Sequence, residues 1–408
     1  MTGKPGWNRI NTFKGNIIAL CVGFGISLIM VAGFILLFSK SGIILDQNFK
    51  GNSFLYKEDS ILGYRLLPNQ DVIRQDDSGQ FTVSINNIGF RDSLYNSTWI
   101  TNTFYKIMLL GDSFTFGGRA RYPYSSMVQS QLINKSSSSL HVFNFGTPGY
   151  GTLNEYGILD IYADQVKPDI VIVAFFLGND FHDNLIPLTD VKVIDGYLVH
   201  NFISWSDKRC VLSDDDLKSY VSVAKAKGLS PYSLAQLIRV DKFGDHMTFI
   251  ERTVRQLGIN FPAVRTLVDM TKTKLSVNSI LSFGITNPAY YGVTKEEAQA
   301  TGDYLTKIQN KCRELQAELI LLMIPEYVGN YDNGERRTTL QNLCREAGII
   351  HVIDLFPLLK DNMAKYYLEA DAHFSPAGHE ATADAITAYI LDHNLLHPEG
   401  KGSSPGPR

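Results

Sequence analysis

Cysteine is scarce in this chain: four residues among 408, with no Cys-x-x-Cys and no metal-type spacing. That excludes a disulfide-dense scaffold, a zinc ribbon and a thioredoxin-like redox centre. Cys21 lies inside an apolar run, which leaves Cys210, Cys312 and Cys344 for one disulfide and a free thiol at most. Charge of one sign is equally short. Lys and Arg number 38 against 41 Asp and Glu, and no Lys/Arg-rich block occurs, so nothing electrostatic calls for nucleic acid as a partner. No internal repeat is visible either. The 44% hydrophobic content is ordinary for a globular protein, and the length allows one large domain with appendages.

Long uncharged apolar runs are missing too, with one exception. Asn16 to Phe38 holds no charged residue and as a helix would span roughly 34 Å, about the bilayer core. Lys4, Arg9 and Lys14 precede it, and no acidic residue occurs before Asp46. This pattern predicts a cytoplasmic N-terminus at 1–15, a single transmembrane span at 16–38 and a translocated remainder. Ser39-Lys40-Ser41 resembles a signal-peptide cleavage site, but the run exceeds the about 7–15 residues of an h-region, which favours an uncleaved anchor.

Residues 39–104 read as a membrane-proximal β-rich segment. Asp71-Val72-Ile73-Arg74 and Phe81-Thr82-Val83-Ser84-Ile85 flank Asp76-Asp77-Ser78-Gly79, which is hairpin chemistry. From Lys106 the pattern becomes apolar strands alternating with helical stretches. Strands are predicted at 106–110, 140–145, 169–176, 318–324 and 350–354, and helices at Pro123–Ile133 and Lys295–Leu315. This alternation predicts an α/β fold: a five-stranded parallel sheet covered on both faces, with ligands at the carboxyl ends of its strands.

About 140 residues separate the third and fourth strands, against the ~10–12 that a crossover needs, so an insertion is expected at about 181–300. It begins with a predicted hairpin, Val191–Ile194 against Tyr197–His200 around a type I′ Asp195-Gly196 turn, followed by helical material from Ser213 to Met270. A lid, a substrate wall and simple thickening of the fold are all compatible with it. The tail at 397–408, rich in Gly, Ser and Pro, is expected to be disordered.

The chemistry-bearing residues fall where strands end. Ser113 in Gly111-Asp112-Ser113-Phe114-Thr115 follows the first strand, Asn144 to Gly151 the second and Gly178-Asn179-Asp180 the third, while Asp371-Ala372-His373 lies near the C-terminus. Each has an ordinary alternative: Ser113 as a helix N-cap, Gly149 as a turn glycine, Asn179-Asp180 as a strand terminator, His373 as a loop histidine. Together they converge on one sheet edge. No Gly-x-Ser-x-Gly elbow surrounds Ser113, and acid and histidine follow the serine, which disfavours α/β-hydrolase and subtilisin-like peptidases.

In order and type these blocks resemble those of the SGNH/GDSL hydrolases, over most of residues 105–396. Gly111 to Gly117 is similar to the nucleophile block, Asn144 to Gly151 to the glycine block, Gly178-Asn179-Asp180 to the asparagine block, and Asp371 to His379 to the last. Ile85-Asn86-Asn87-Ile88-Gly89-Phe90-Arg91-Asp92 resembles a leader of membrane-anchored bacterial members. The resemblance implies a three-layer flavodoxin-like fold and a Ser113, His373, Asp371 triad. It also implies an oxyanion hole from Ser113 N–H, Gly149 N–H and the Asn179 amide, with Gly146 the weaker glycine candidate.

Many members place the acid three residues before the histidine. Here that position is Ala370, so Asp371 is the best choice and Glu369 a weaker one. The implied activity is cleavage of an O-acyl ester, acetyl by preference, through an acyl-serine. An O-acyltransferase acting on a surface glycan and a non-catalytic binding module on the same fold are the alternatives. The substrate class is an ester, an acylated glycan or lipid among the options. No cofactor is required and no metal site is apparent: Asp180, His182 and Asp183 read as a polar loop, and Asp112 and Asp180 as structural, while His182 and His379 have no assigned role.

Overall fold

The computed structural model describes residues 54–76, 78–95, 104–136, 139–186, 190–205, 208–229, 231–247, 252–253, 255–256, 292–327, 334–368 and 373–396. The predicted cytoplasmic segment 1–15, the anchor at 16–38 and the tail at 397–408 lie outside them, as do Glu369, Ala370 and Asp371. Among the described residues no helix is long and apolar enough to cross a membrane.

Four short strands open the described chain: β1 (Tyr56–Asp59) pairs antiparallel with β2 (Gly63–Leu66), and β3 (Asp71–Asp76) with β4 (Gly79–Ser84). The second pair is the predicted hairpin, with Asp71 opposite Ser84 and Asp76 opposite Gly79. The main sheet follows. It comprises β5 (Tyr105–Gly111), β6 (Leu140–Asn144), β7 (Ile170–Phe176), then, after a long excursion, β12 (Glu318–Ile324) and β13 (His351–Asp354). All neighbours run parallel in the spatial order β6-β5-β7-β12-β13. The strand predicted at 318–324 coincides with β12, and the other four differ from these by a residue at one or both ends.

The sequence produces this sheet because its central strands can be buried on both sides. All seven residues of β7 are buried, and side chains alternate between two separate cores. Val171, Val173 and Phe175 join one core with α3 (Thr152–Val166), α7 (Lys295–Leu315) and α8 (Gly334–Ala347). Ile170, Ile172 and Ala174 join the other with α2 (Tyr124–Ser136) and α9 (Pro376–Asp392). Three layers result. With strand order 2-1-3-4-5 in sheet numbering, the topological switch point lies between β5 and β7, where doubly wound sheets hold their ligands.

The excursion between β7 and β12 carries the hairpin β8 (Val191–Ile194) and β9 (Tyr197–His200), with Asp195 at φ 50° and Gly196 at φ 84°, the two positive angles of a type I′ turn. A second hairpin, β10 (Phe202–Trp205) with β11 (Lys208–Val211), follows; the sequence pattern did not suggest it. Helices α5 (Asp214–Lys227) and α6 (Pro231–Phe243) pack with these strands around a core of their own that includes Val199, Leu217, Val221, Leu234 and Phe243. The remainder of the helix predicted to reach Met270 lies largely outside the described residues. Cys210, Cys312 and Cys344 are free thiols, and burial pushes the last two up to about 12, which suppresses their reactivity.

Candidate active site

Strand β5 ends at Gly111 and turns at once into the four-residue helix α1 (Ser113–Phe116). A side chain at 111 would place its Cβ 2.1 Å from Thr115 Oγ1, so only glycine lets the helix fold back this closely. Asp112, not Ser113, is the N-cap; its Oδ1 accepts from the Phe114 N–H at 2.8 Å. Ser113 therefore occupies the first helical position, where its N–H has no intrahelical acceptor, and its side chain faces out of an otherwise buried turn.

The glycine block is tied to the nucleophile block. Thr147 N–H donates to Gly111 O at 3.0 Å, and the buried Asn144 amide donates to Thr115 O at 3.0 Å and Ser125 Oγ at 2.9 Å. Asn144 Oδ1 accepts the Gly146 N–H at 3.0 Å. That bond occupies the Gly146 N–H. Gly149, by contrast, is exposed, with φ 80°, as the third residue of a turn closed by Tyr150 N–H to Thr147 O at 3.2 Å. Proline then glycine with positive φ is the type II pattern.

Asn179 follows β7. Its backbone sits at the head of α4 (Asp180–Asp183), and its Nδ2 donates to Asp183 Oδ2, which leaves the second amide N–H unclaimed by that bond. The loop is pinned from below: Asp180 Oδ2 accepts the Phe176 N–H at 2.8 Å, and Arg336 donates to Leu177 O and Gly178 O, each at 2.7 Å. Residues 180–183 form a helical turn, not the expected polar loop: Asp180 ties its start to β7, and Arg336 of α8 holds the Leu177 and Gly178 carbonyls just before it. Burial pushes the Asp183 carboxyl up to about 7 despite the bond from Asn179.

His373 reaches the site from the other end of the chain. Tyr367 and Phe374 form an isolated bridge, Leu368 N–H donates to His373 O at 2.9 Å, and Ser375 caps α9. Beneath it, the Phe114 ring lies 5.2 Å from the imidazole centroid. Across 260 residues of sequence, His373 Nε2 and Ser113 Oγ are 2.7 Å apart. For the ring nitrogen to accept from the hydroxyl, the neutral imidazole must carry its proton on Nδ1. Asp371, the acid implied for that Nδ1, lies outside the described residues. Asp112 is buried beside the pair, with Oδ2 3.5 Å from Ser113 Oγ; burial raises its pKa above the ordinary carboxylate range.

No family model matches the sequence, and no curated relative matches it. Solved structures that resemble the chain include the lipase Lip_vut3 from a goat rumen metagenome, 13% identical over 70% of this chain and 97% of that one, TM-score 0.38. A lipase/acylhydrolase from Enterococcus faecalis is 16% identical over 71% and 96%, TM-score 0.35. An acetyl-xylooligosaccharide esterase from Geobacillus Stearmophilus is 14% identical over 71% and 96%, TM-score 0.34. At such distances the chemistry of this chain rests on its own side chains.

The contacts of several supporting residues were not visible in the sequence. Arg91, in the leader-like segment, donates to Ala120 O at 2.7 Å and to the carbonyls of Phe116, Gly117 and Arg121, bracing the end of α1. Its neighbour Asp92 accepts from Asn144 N–H at 3.2 Å, so the leader holds both blocks from behind. His379 is buried, its Nδ1 accepts the Tyr124 N–H at 3.3 Å, and desolvation pulls it down to about 3, so it stays neutral. His182 faces Glu297, Nδ1 to Oε1 3.5 Å, on the exposed side. Among the described residues no group of His, Cys, Asp and Glu is arranged to hold a metal ion.

Glu155, in the first turn of α3, is fully buried, and neither carboxylate oxygen has a protein hydrogen bond. Desolvation, then the nearby Asp112, raise its pKa well above the usual range, so the folded protein keeps it protonated. An unfolded chain releases that proton above about pH 4.3. Stability therefore falls as pH rises through this window, because the folded state binds more protons than the unfolded one. Glu155→Gln is expected to raise the thermal midpoint at pH 8 and leave it nearly unchanged at pH 4. Melting curves at both values for wild type and variant check this; an equal shift at both, or a loss at pH 8, contradicts it.

Proposed function

We propose that the chain is an SGNH/GDSL-type serine hydrolase that cleaves an O-acyl ester through an acyl-Ser113 intermediate. The observation that carries this reading is the 2.7 Å contact between Ser113 Oγ and His373 Nε2 at the carboxyl edge of the sheet. A serine hydroxyl is a poor nucleophile at neutral pH and needs a base within hydrogen-bond reach. His373 takes the proton as Oγ attacks the carbonyl carbon, and Asp371 holds the imidazole tautomer and offsets the imidazolium charge. The carbonyl oxygen becomes negative in the tetrahedral intermediate, where the Ser113 N–H, the Gly149 N–H and the free N–H of Asn179 stabilise it. Collapse expels the alcohol, protonated by His373. Water then attacks the acyl-serine with the same base, and the acid leaves.

An acetyl group on a surface glycan or lipid is the preferred ester, and residues 16–38 anchor the domain on the extracytoplasmic side. The decisive assay incubates the full-length chain with p-nitrophenyl acetate, with and without an oligosaccharide acceptor. Release of acetate in both cases supports a hydrolase, and acetylated oligosaccharide in its place supports a transferase. No Ser113-dependent turnover and no fluorophosphonate labelling would leave only a binding module. Retention of the protein in the membrane fraction, lost on deletion of residues 1–45, tests the anchor; a full-length chain that remains in the soluble fraction contradicts it.

A further inference from the structure

We propose that Tyr64, on β2, is a positioning residue for the oxyanion hole: its hydroxyl holds the Pro148–Gly149 peptide in the one orientation that presents the Gly149 N–H. The inference rests on the reading of Gly149 as an oxyanion donor. Tyr64 Oη donates to Pro148 O at 2.9 Å. That carbonyl and the Gly149 N–H belong to the same planar trans peptide and point in opposite directions. Fixing the carbonyl toward β2 fixes the N–H away from it.

The peptide needs fixing. Type I and type II turns differ by a flip of their central peptide, and glycine at the third position tolerates either sign of φ, so the turn alone selects weakly. A flip to type I would replace the Gly149 N–H by the Pro148 carbonyl, an acceptor facing a developing negative charge. Tyr64 opposes this in two ways. Its hydrogen bond is lost on flipping, and while formed it polarises the amide and strengthens the N–H as a donor.

Tyr64 is itself immobilised. It is 4% exposed, its ring meets those of Tyr56 and Tyr150 edge-on at 5.7 and 5.2 Å, and its own carbonyl accepts from the Tyr150 hydroxyl. Burial keeps the phenol protonated, so it remains a donor across the working pH range. The approach is close enough to constrain the glycine: a Cβ at 149 would lie 2.7 Å from Tyr64 Oη but 4.0 Å from Cζ. The β-rich segment before the sheet therefore completes the site and is more than a stalk.

The test measures kcat and KM for p-nitrophenyl acetate in the full-length chain for Tyr64→Phe, Gly149→Ala, the double variant and Asn179→Ala. Loss of one orienting hydrogen bond in Tyr64→Phe should lower kcat about tenfold with KM within about twofold. A merely structural role would lower the melting midpoint without that split. The double variant should be no slower than Gly149→Ala alone, because both changes act on one peptide and removing the hydroxyl clears the collision. Wild-type kcat in Tyr64→Phe beside a slowed Asn179→Ala overturns this proposal alone, as does full additivity in the double variant. Turnover that survives Ser113→Ala overturns the hydrolase reading, and this proposal with it. If Tyr64→Phe does not fold, Gly149→Ala decides: a loss of at least about tenfold is expected, and wild-type turnover overturns the proposal.

Discussion

Ser113→Ala is expected to lower ester turnover roughly 10⁵–10⁶-fold, about 7–8 kcal/mol of barrier, and to leave KM and the melting midpoint close to wild type. The size follows from the loss of the group proposed to form the covalent intermediate. The stability follows from position: Ser113 makes no cap, since Asp112 supplies it, and its half-buried hydroxyl has its short contact with His373. His373→Ala should cost nearly as much, and the double variant little more than either, because nucleophile and base act as a unit. Steady-state kinetics on p-nitrophenyl acetate with all three variants checks this. Multiplying losses in the double variant would mean that the two residues act independently.

Asn179→Ala should lower kcat about 10²–10³-fold, the usual cost of one oxyanion donor, with a small effect on KM. The Asn179 amide is anchored by Asp183, and its loop by Arg336 and Asp180, so the proposed donor is held in place by the fold itself. Preorganisation of this kind is what makes such a donor effective, since no reorganisation is needed as charge develops. Asn179→Asp should be worse than alanine, because it brings a negative charge to the oxyanion and sets it against Asp183. Equal kcat in Asn179→Ala and wild type would remove Asn179 from the reaction. A rise in KM alone would make it a substrate-binding group.

Much of the sheet was legible because doubly buried strands carry an unmistakable pattern. Ile170–Phe176 and Glu318–Ile324 are apolar almost throughout, and no polar face interrupts them. The serine, glycine, asparagine and histidine blocks were legible for a related reason: each sits where such a strand ends or where the last helix begins, so the sheet itself gathers them. What the sequence concealed were groups whose meaning lies in a distant partner. Tyr64 and Pro148 are 84 residues apart, and nothing local distinguishes that tyrosine from the chain's others. Arg91 stood in a recognisable leader, yet only its contacts with four carbonyls reveal a brace. Asp183 looked like part of a solvated loop, because the bond that draws it inward comes from a side chain rather than from a periodic backbone pattern. Likewise, nothing local to Gly146 signals that its N–H is taken up by the Asn144 side chain.

In the proposed reaction one hydroxyl and one imidazole, brought together by the fold, act as nucleophile and base. The most direct measurement is covalent labelling of the folded chain with a fluorophosphonate, followed by mass spectrometry of the modified peptide. A single adduct on Ser113 is expected, formed rapidly in the wild type and slowed at least about 10³-fold in His373→Ala, whose nucleophile has lost its base. An adduct on another residue, or labelling of Ser113 at the same rate without His373, would contradict it.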